Sequence, residues 1–371
     1  MNKITLFNPD IDKSDIDAVT EAMQQNRLTR GMQTRRFEEE LALFLGAKHV
    51  ISCSSGTTAL YLVYKALKKN DTPATLSTSP VTFASTATNG ILAGYDLKLI
   101  DINSDNALIE KIPEQQSDDV TCLVHYAGVP CPMEKTNSSK DHVIEDGCHA
   151  LGSSYPDGSM VGSNQNSKAC VFSFHDAKNI TTGEGGAICT EDDELAQRIK
   201  RLRHNGIQRT EGSPYWIYEI VESSINGHMS DIEASLGISQ LKKLPTQKQR
   251  RLEIMQRYHE NFKNIEGITL PLPQEHVMYN MAVSLIDFDF FKTDRSHIMP
   301  AMNNMGIECN LHYLPLYEMP FYKKLPGSQS SDQFPSSQEF VKRALTLPLH
   351  IKLTDNDVDR VSSTLINLLN Q

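Results

Sequence analysis

The chain has 371 residues, 39% of them hydrophobic and 22% charged, and a formal net charge of −10. This length and composition are typical of a globular protein with one large and one smaller domain. The acidic balance argues against nonspecific nucleic-acid binding. No apolar run is long enough to cross a bilayer, and the first residues lack the apolar core of a signal peptide. We therefore expect neither a membrane nor a nucleic acid as a partner.

The seven cysteines are scattered singly, mostly in apolar runs: Cys53, Cys122, Cys131, Cys148, Cys170, Cys189 and Cys309. An odd number of isolated cysteines is typical of reduced core residues, so we expect a cytoplasmic protein. The sequence contains neither a Cys-x-x-Cys nor a His-x-x-x-His pair. We therefore expect no metal site.

Residues 1 to about 30 predict an N-terminal arm with a helix at residues 13–24. Strand-like and helical runs then alternate as far as about residue 243, which indicates a mainly parallel sheet covered on both faces. The predicted strands are residues 49–53, 74–77, 97–102, 120–125, 142–145, 170–174 and 187–190. A short glycine-rich turn joins the last two strands, which favours an antiparallel pair.

A long helix is predicted at residues 231–262, beginning after Ser230 and interrupted near Pro245. The pattern beyond it predicts strands at 278–286 and 309–313, helices at 295–305 and 358–369, with Thr354 as a cap, and a polar loop at 326–337. We accordingly predict two domains: a large one with the arm, residues 1–243, and a small α+β domain, residues 244–371.

Ser55, Gly56 and Thr57 lie in the turn between the first predicted strand and a helical pattern. Free backbone N–H groups and hydroxyls at the start of a helix favour a bound anion such as phosphate. An ordinary N-cap would use the same residue types. The turn alone therefore leaves both hypotheses open.

Asp146 follows a predicted strand, at the edge of the sheet where α/β proteins bind their ligands. A carboxylate here would suit the ring nitrogen of pyridoxal phosphate, because the protonated ring is the better electron sink. His149 lies three residues later and could bond to or stack on the same ring. A helix N-cap for Asp146 and a core histidine for His149 are the alternatives.

A single lysine, Lys178, lies between the last two predicted strands, in the run Ser-Phe-His-Asp-Ala-Lys-Asn-Ile-Thr-Thr-Gly-Glu-Gly-Gly at residues 173–186. A lysine on a short loop between strands can point at one carbonyl carbon, as attack by an amine requires. A surface lysine in a turn is the alternative. The Ser55 and Asp146 segments favour the functional hypothesis, because all three would meet at one pocket.

Together these segments resemble the sugar aminotransferases of the DegT/DnrJ/EryC1/StrS family. The resemblance covers nearly the whole chain, from residues 28–31 to residues 312–315, and is most specific in the run at 173–186. It implies the type I aspartate-aminotransferase fold, an α/β fold with a seven-stranded, mainly parallel sheet in the large domain. It also implies pyridoxal 5′-phosphate as cofactor, a nucleotide-linked keto sugar and L-glutamate as substrates, and a homodimer with shared active sites.

Within the family, residues 203–207 and 214–219 are similar to enzymes that aminate C4 of a UDP-linked 4-keto-6-deoxy-N-acetylhexosamine. The resemblance therefore implies a 4-amino-4,6-dideoxy sugar nucleotide, made for glycan biosynthesis. Amination at C3 is the alternative. The nucleotide, the sugar's configuration and the final product stay open.

The resemblance also implies residue roles by position. Lys178 would be the catalytic lysine, which holds the cofactor and carries the proton. The other implied cofactor-binding residues are Ser55, Gly56, Thr57, Phe83, Asp146, His149, Ser173 and Asn226, the last reaching the cofactor of a neighbouring subunit. The implied substrate-binding residues are Leu28, Thr29, Gly31, His228, His312 and Tyr313.

One segment departs from the family pattern. The usual run is Tyr-Asn-Tyr-Arg, whereas this chain has Ile225-Asn226-Gly227-His228. Histidine is shorter than arginine and only partly charged at neutral pH. The change therefore affects how this segment would bind an anionic substrate. The only tryptophan, Trp216, lies in a nearby predicted loop and would either stack on a ligand or pack.

Three further hypotheses concern other chemistry. Family members that dehydrate C3 of a sugar carry histidine in place of Lys178, and a lyase or desulfurase would need a cysteine in a reactive setting. The third is a cofactor-binding regulator without turnover. The presence of Lys178 argues against a sugar dehydratase. Lys178 together with Asp146 and the Ser55 turn argues against a regulator without turnover.

Overall fold

The computed structural model describes residues 2–68, 72–112, 114–116, 118–133, 139–163 and 165–371. Its helices are α1 (Lys13–Met23), α2 (Met32–Leu45), α3 (Gly56–Leu67), α4 (Ala84–Leu92), α5 (Asp193–Leu202), α6 (Asp231–Phe262), α7 (Arg295–Asn304), α8 (Pro335–Arg343) and α9 (Asp355–Leu369). Its strands are β1 (His49–Cys53), β2 (Thr75–Thr78), β3 (Asp96–Leu99), β4 (Val120–Val124), β5 (Val143–Asp146), β6 (Ala169–Ser173), β7 (Gly186–Thr190), β8 (Ile207–Gln208), β9 (Glu219–Ile220), β10 (Ile268–Thr269), β11 (Ala282–Ile286) and β12 (Ala344–Leu347).

The first seven strands form one sheet in the order β1-β7-β6-β5-β4-β2-β3. Strands β2 to β6 pair in parallel, whereas β7 is antiparallel to both of its neighbours, β6 and β1. The predicted seven-stranded, mainly parallel sheet is confirmed, and so is its antiparallel last pair. The register places Gly186 beside both Cys53 and Ser173, which brings the ends of β1 and β6 together at one edge.

Side chains of each central strand alternate between two hydrophobic cores. On β6, Cys170 and Phe172 enter a core shared with α2 and α6, whereas Ala169 and Val171 enter a core shared with α3 and α5. Burial on both faces explains why these strands are apolar runs in the sequence, without the alternation of a half-exposed strand.

Helix α6 has 32 residues and packs against α1, α2 and α9. The interruption predicted near Pro245 is wrong, because the helix continues through it. A proline inside a helix removes one N–H bond, and the buried neighbours Leu241 and Leu244 offset that loss. The boundary predicted after residue 243 falls within this helix, so both predicted domains would share it. The division into two domains stays a prediction.

After α6, strands β10, β11 and β12 form a small antiparallel sheet that shares a core with α7 and α9. The strand predicted at residues 309–313 is wrong, because only Asn310 pairs with this sheet, at Thr346 of β12. Thr354 caps α9 as predicted. Among the described residues, no helix is both long and apolar enough to span a bilayer.

Candidate active site

The C-terminal ends of the parallel strands border a cavity of about 420 Å³. Ten of the residues predicted for the site line it: Ser55, Gly56, Thr57, Phe83, Asp146, His149, Ser173, Lys178, His312 and Tyr313. They come from five separate segments, so the fold brings together residues up to 258 positions apart, from Ser55 to Tyr313. Their individual roles stay predictions.

Lys178 lies in the loop between β6 and β7 and is half-buried. Asn179 fixes this loop, because its side-chain amide donates to the carbonyl oxygens of His149 at 3.2 Å and Leu151 at 3.1 Å. Burial lowers the pKa of the Lys178 amine, and the nearby Asp146 carboxylate opposes only part of that effect. A larger share of the amine is therefore neutral, the form that attacks a carbonyl carbon.

Asp146 ends β5 and is buried at the cavity wall. Its Oδ2 accepts a 2.7 Å hydrogen bond from Thr86 Oγ1, and its Oδ1 accepts one of 3.2 Å from the N–H of Cys148. Tyr64 holds Thr86 in turn, because its hydroxyl donates to the Thr86 carbonyl oxygen at 2.9 Å. These bonds fix the carboxylate as an acceptor for a protonated ring nitrogen.

His149 stacks on Tyr313, with ring centroids 6.3 Å apart and an angle of 20° between the planes. Burial, with a further contribution from the Lys178 charge, holds the pKa of His149 well below its usual range, so the ring is neutral. Its Nδ1 is buried and has no hydrogen-bond partner among the described residues. Such an unsatisfied atom is costly, so His149 presents a polar contact for a ligand.

The start of α3 has the features expected of an anion-binding turn, and we call it the anion cradle. Ser55 caps the helix, its Oγ accepting a 3.0 Å bond from the N–H of Thr58. The first N–H groups of a helix have no partner within it and attract phosphate. A Cβ on Gly56 would lie only 2.7 Å from Ser173 Cβ and 3.2 Å from Cys148 Sγ, so only glycine fits here. The cradle therefore depends on Gly56.

These features fit pyridoxal phosphate. The cradle suits the phosphate, Asp146 the ring nitrogen, the free His149 Nδ1 a polar ring substituent, and Lys178 the carbonyl carbon. Among the described residues, no group of three or more His, Cys, Asp and Glu side chains could hold a metal ion.

The remaining predicted residues form a second group at the start of α6: Leu28, Thr29, Gly31, Asn226 and His228. The N–H of Asp231 donates to the Leu28 carbonyl oxygen at 2.8 Å, and Asp231 Oδ1 accepts from the N–H of Gly31 at 3.1 Å. None of the five is among the described residues that line the cavity. Leu28 and Thr29 instead line a separate, open groove of about 730 Å³.

Contributors to the site that were not predicted from the sequence include Phe7, Thr86 and Asn280. Phe7 lines the cavity from the N-terminal arm, its ring centroid 5.9 Å from that of His312. Asn280 braces the lysine loop, because its amide donates to the Ala177 carbonyl oxygen at 3.0 Å. No local pattern marks these residues, since only the tertiary fold brings them to the site.

Comparison with known proteins identifies one matching family and relatives that align with this chain over nearly their full length. The model of the DegT/DnrJ/EryC1/StrS aminotransferase family matches residues 9–366. The chain is 34% identical to a UDP-4-amino-4,6-dideoxy-N-acetyl-beta-L-altrosamine transaminase of Campylobacter jejuni, over 99% of this chain and 97% of that one.

Solved structures give the same result. PseC of Helicobacter pylori, described as an aminotransferase involved in the biosynthesis of pseudoaminic acid, superposes with a TM-score of 0.91 at 29% identity, covering 99% of each chain. The putative sugar aminotransferase Spr1654 of Streptococcus pneumoniae, in its PLP form, gives a TM-score of 0.88 at 26% identity, covering 99% of this chain and 98% of that one.

Proposed function

The chain belongs to the DegT/DnrJ/EryC1/StrS aminotransferase family, and we propose that it transfers an amino group from L-glutamate to C4 of a nucleotide-linked 4-keto-6-deoxy sugar. The predicted family, fold and cofactor are confirmed, and the protein is a pyridoxal-phosphate-dependent sugar aminotransferase. The observation that carries the proposal is the position of Lys178, an amine of lowered pKa in the same cavity as Asp146 and the anion cradle. The name of the Campylobacter jejuni relative supports a UDP-linked 4-amino-4,6-dideoxy product.

Lys178 has two tasks in this proposal. Its Nζ would hold the bound cofactor at the carbonyl carbon. As a free amine, the same Nζ would carry the proton of the donor's α-carbon, as a general base and then an acid. The lowered pKa of Lys178 suits both tasks, because the released amine must be neutral to accept that proton.

Bound pyridoxal phosphate supplies an electron sink for the carbon that loses its proton. Asp146 would keep the ring nitrogen protonated by accepting a hydrogen bond from its N–H, and the bond from Thr86 holds the carboxylate in place for this. Phe83 immediately precedes α4, lines the cavity and is 56% exposed, so its ring is available to stack on the cofactor.

We further propose a homodimer with shared active sites. Within one chain, the predicted site residues fall into two separate groups, one at the cavity and one at the start of α6. A second copy could unite them, with Asn226 reaching the partner's cofactor phosphate. The hairpin of β8 and β9 supports this, because its Tyr215 and Trp216 are 81% and 65% exposed. Burial against a second copy would remove that apolar surface from water.

A reducing compartment, the cytoplasm, is part of the same proposal. All seven cysteines are free. Five of them are buried, which suits reduced core residues rather than an incomplete set of disulfides.

The proposal is tested by absorbance spectra of the purified protein with pyridoxal phosphate, before and after addition of L-glutamate. The wild type should show the visible band of lysine-bound cofactor, and glutamate should convert that band. Lys178→Ala should show neither change. The matched control is Lys98→Ala, an exposed lysine on β3, which should behave as the wild type. If L-glutamate left the wild-type band unchanged, the assignment of L-glutamate as the amino donor would be wrong.

A further inference from the structure

Glu184 lines the active-site cavity, and no role described above uses it. It lies in the loop between β6 and β7, which also carries Lys178. Its side chain is 61% exposed, and its carboxylate accepts no hydrogen bond from a described residue. Its one ion-pair contact within the described part of the chain is long, 3.9 Å from Oε1 to Nε2 of His175. The carboxylate is therefore available to a ligand in the cavity.

The backbone on both sides of Glu184 is held by hydrogen bonds. The N–H of Thr182 donates to the Phe174 carbonyl oxygen at 2.9 Å, and the N–H of Phe174 donates to the Gly185 carbonyl oxygen at 2.8 Å. The Thr182 hydroxyl donates to the carbonyl oxygen of Glu184 itself at 2.5 Å. A Cβ on Gly185 would collide with that hydroxyl, so the turn requires glycine there. Glu184 is thus carried on a fixed turn at the cavity wall, as recognition of a ligand group requires.

The charge of Glu184 limits what can bind beside it. Asp146, the other acidic residue among the described residues that line the cavity, already accepts bonds from Thr86 and Cys148. An ionised carboxylate can only accept, and covering it without a hydrogen-bond donor is costly. The carboxylates of L-glutamate would be repelled. Its amine must lose a proton to react, whereas a carboxylate contact would favour the charged ammonium form. A neutral donor such as a sugar hydroxyl meets both requirements.

We propose that Glu184 is a specificity-determining residue that accepts a hydrogen bond from the C3 hydroxyl of the keto sugar. In the proposed reaction C4 of the sugar lies at the reacting end of the cavity, beside Lys178. Of the two ring carbons next to C4, C3 carries a hydroxyl, whereas C5 carries a methyl group and the ring oxygen, and neither of these can donate. The inference rests on the proposed function, since it assumes C4 as the reacting carbon.

This contact would make the enzyme discriminate between sugars that differ only at C3. A bound sugar without the C3 hydroxyl would cover the Glu184 carboxylate and leave it without a partner, which a site built to bond a hydroxyl penalises. We expect such a sugar to react with a kcat/KM that is lower by about 10- to 100-fold, the size of one hydrogen bond to a charged group. Glu184 would then select 3-hydroxy over 3-deoxy sugars.

The sugar half of the reaction tests the inference, because it can be measured without the amino donor. Enzyme loaded with pyridoxamine phosphate is mixed with UDP- or dTDP-linked 4-keto-6-deoxy sugars, each paired with its 3-deoxy counterpart, and the return of the visible band is followed. The wild type should prefer the 3-hydroxy sugar. Glu184→Ala should abolish the preference by slowing the reaction of that sugar, and Glu184→Gln, which keeps one acceptor oxygen, should fall between. Glu194→Ala, exposed on α5, should keep the wild-type preference.

Melting temperatures show whether each variant is folded, and if Glu184→Ala is not, the comparison rests on Glu184→Gln. A wild-type preference that persists in the folded Glu184 variant would overturn the inference. Conversion of the lysine-bound cofactor by L-glutamate is measured in parallel. If the variant slows that step and keeps the sugar preference, the carboxylate serves the amino donor and the inference is wrong. Failure of the proposed function is a different result: the wild type would then react with none of the keto sugars, and the inference would fall with it.

Discussion

Thr86 Oγ1 donates a 2.7 Å hydrogen bond to Oδ2 of Asp146, and both residues are almost completely buried. The bond joins α4 to the end of β5, so a residue on a neighbouring helix sets the orientation of the carboxylate. A hydrogen bond to a charged group contributes about 1.5–3 kcal/mol. Thr86 is thus a positioning residue for Asp146.

Thr86→Val should weaken cofactor binding. The substitution keeps the shape and leaves one carboxylate oxygen unsatisfied, so we expect the Kd for pyridoxal phosphate to rise by about 10- to 100-fold. Fluorescence titration of the apoprotein measures it. Thr88→Val is the matched control, because the Thr88 hydroxyl donates to the Ala84 carbonyl oxygen of the same helix rather than to Asp146. Equal affinities for the two variants would refute the role of Thr86.

Gly56→Ala should damage the anion cradle. The added Cβ would meet Ser173 Cβ at 2.7 Å, and such overpacking costs about 1–3 kcal/mol of stability. We expect a lower melting temperature in the apoprotein and weaker cofactor binding. Ser173→Gly in the same chain removes the nearest clash and should restore part of the melting temperature but not the phosphate contact. Full recovery of cofactor affinity in the double variant would show that Ser173 does not contribute to the phosphate site.

Lys178 should react as a neutral amine at a lower pH than an ordinary exposed lysine. Burial lowers its pKa from the ordinary value of 10.5, so its neutral fraction rises earlier as pH increases. Competitive labelling of the apoprotein with an amine-reactive reagent, read by mass spectrometry, gives a titration midpoint for each lysine. The midpoint of Lys178 should fall below the ordinary lysine value of 10.5. A midpoint at or above that value would contradict the proposed state of the amine.

The buried carboxyl of Glu145 should make the free energy of unfolding decrease at acid pH. Burial raises the pKa of its carboxyl, but bonds from His125, Ser167 and Tyr155 outweigh burial and leave it below the usual value. Because the pKa of Glu145 is lower in the folded protein than its ordinary value of 4.5, its ionisation stabilises the fold at pH values above 4.5. This stabilisation is lost as the pH falls through the folded-state pKa.

His125→Phe tests this network. Removing a hydrogen bond to a buried carboxylate costs about 1.5–3 kcal/mol, so urea unfolding at neutral pH should show a loss of that size. The pH dependence of stability below about pH 5 should become shallower, because Glu145 loses the partner that kept its pKa low. An unchanged acid profile would mean that other carboxylates govern it. His297→Phe, on an exposed face of α7, provides the baseline.

The sequence predicted those parts of the site that lie in short contiguous runs. Lys178, Asp146 and Ser55 are each marked by a strand followed by a distinctive turn, and the structure places all three at one cavity. Thr86 and Asn280 carry no such mark, because they act through contacts that only the folded chain creates. The low helix propensity of proline also led to a wrong prediction at Pro245. Burial of the surrounding helix outweighs the local preference of proline for a helix break there. The separation of His228 from the cavity depends on tertiary placement, which no local pattern encodes.

One measurement tests the central claim most directly. L-glutamate labelled in its amino nitrogen is incubated with the holoenzyme and a panel of UDP- and dTDP-linked 4-keto-6-deoxy sugars, and the product is examined by NMR. The account predicts labelled nitrogen on C4 of one of these sugars with the wild type and with Lys98→Ala, and none with Lys178→Ala. Label on C3, or no label transferred to any sugar, would contradict it.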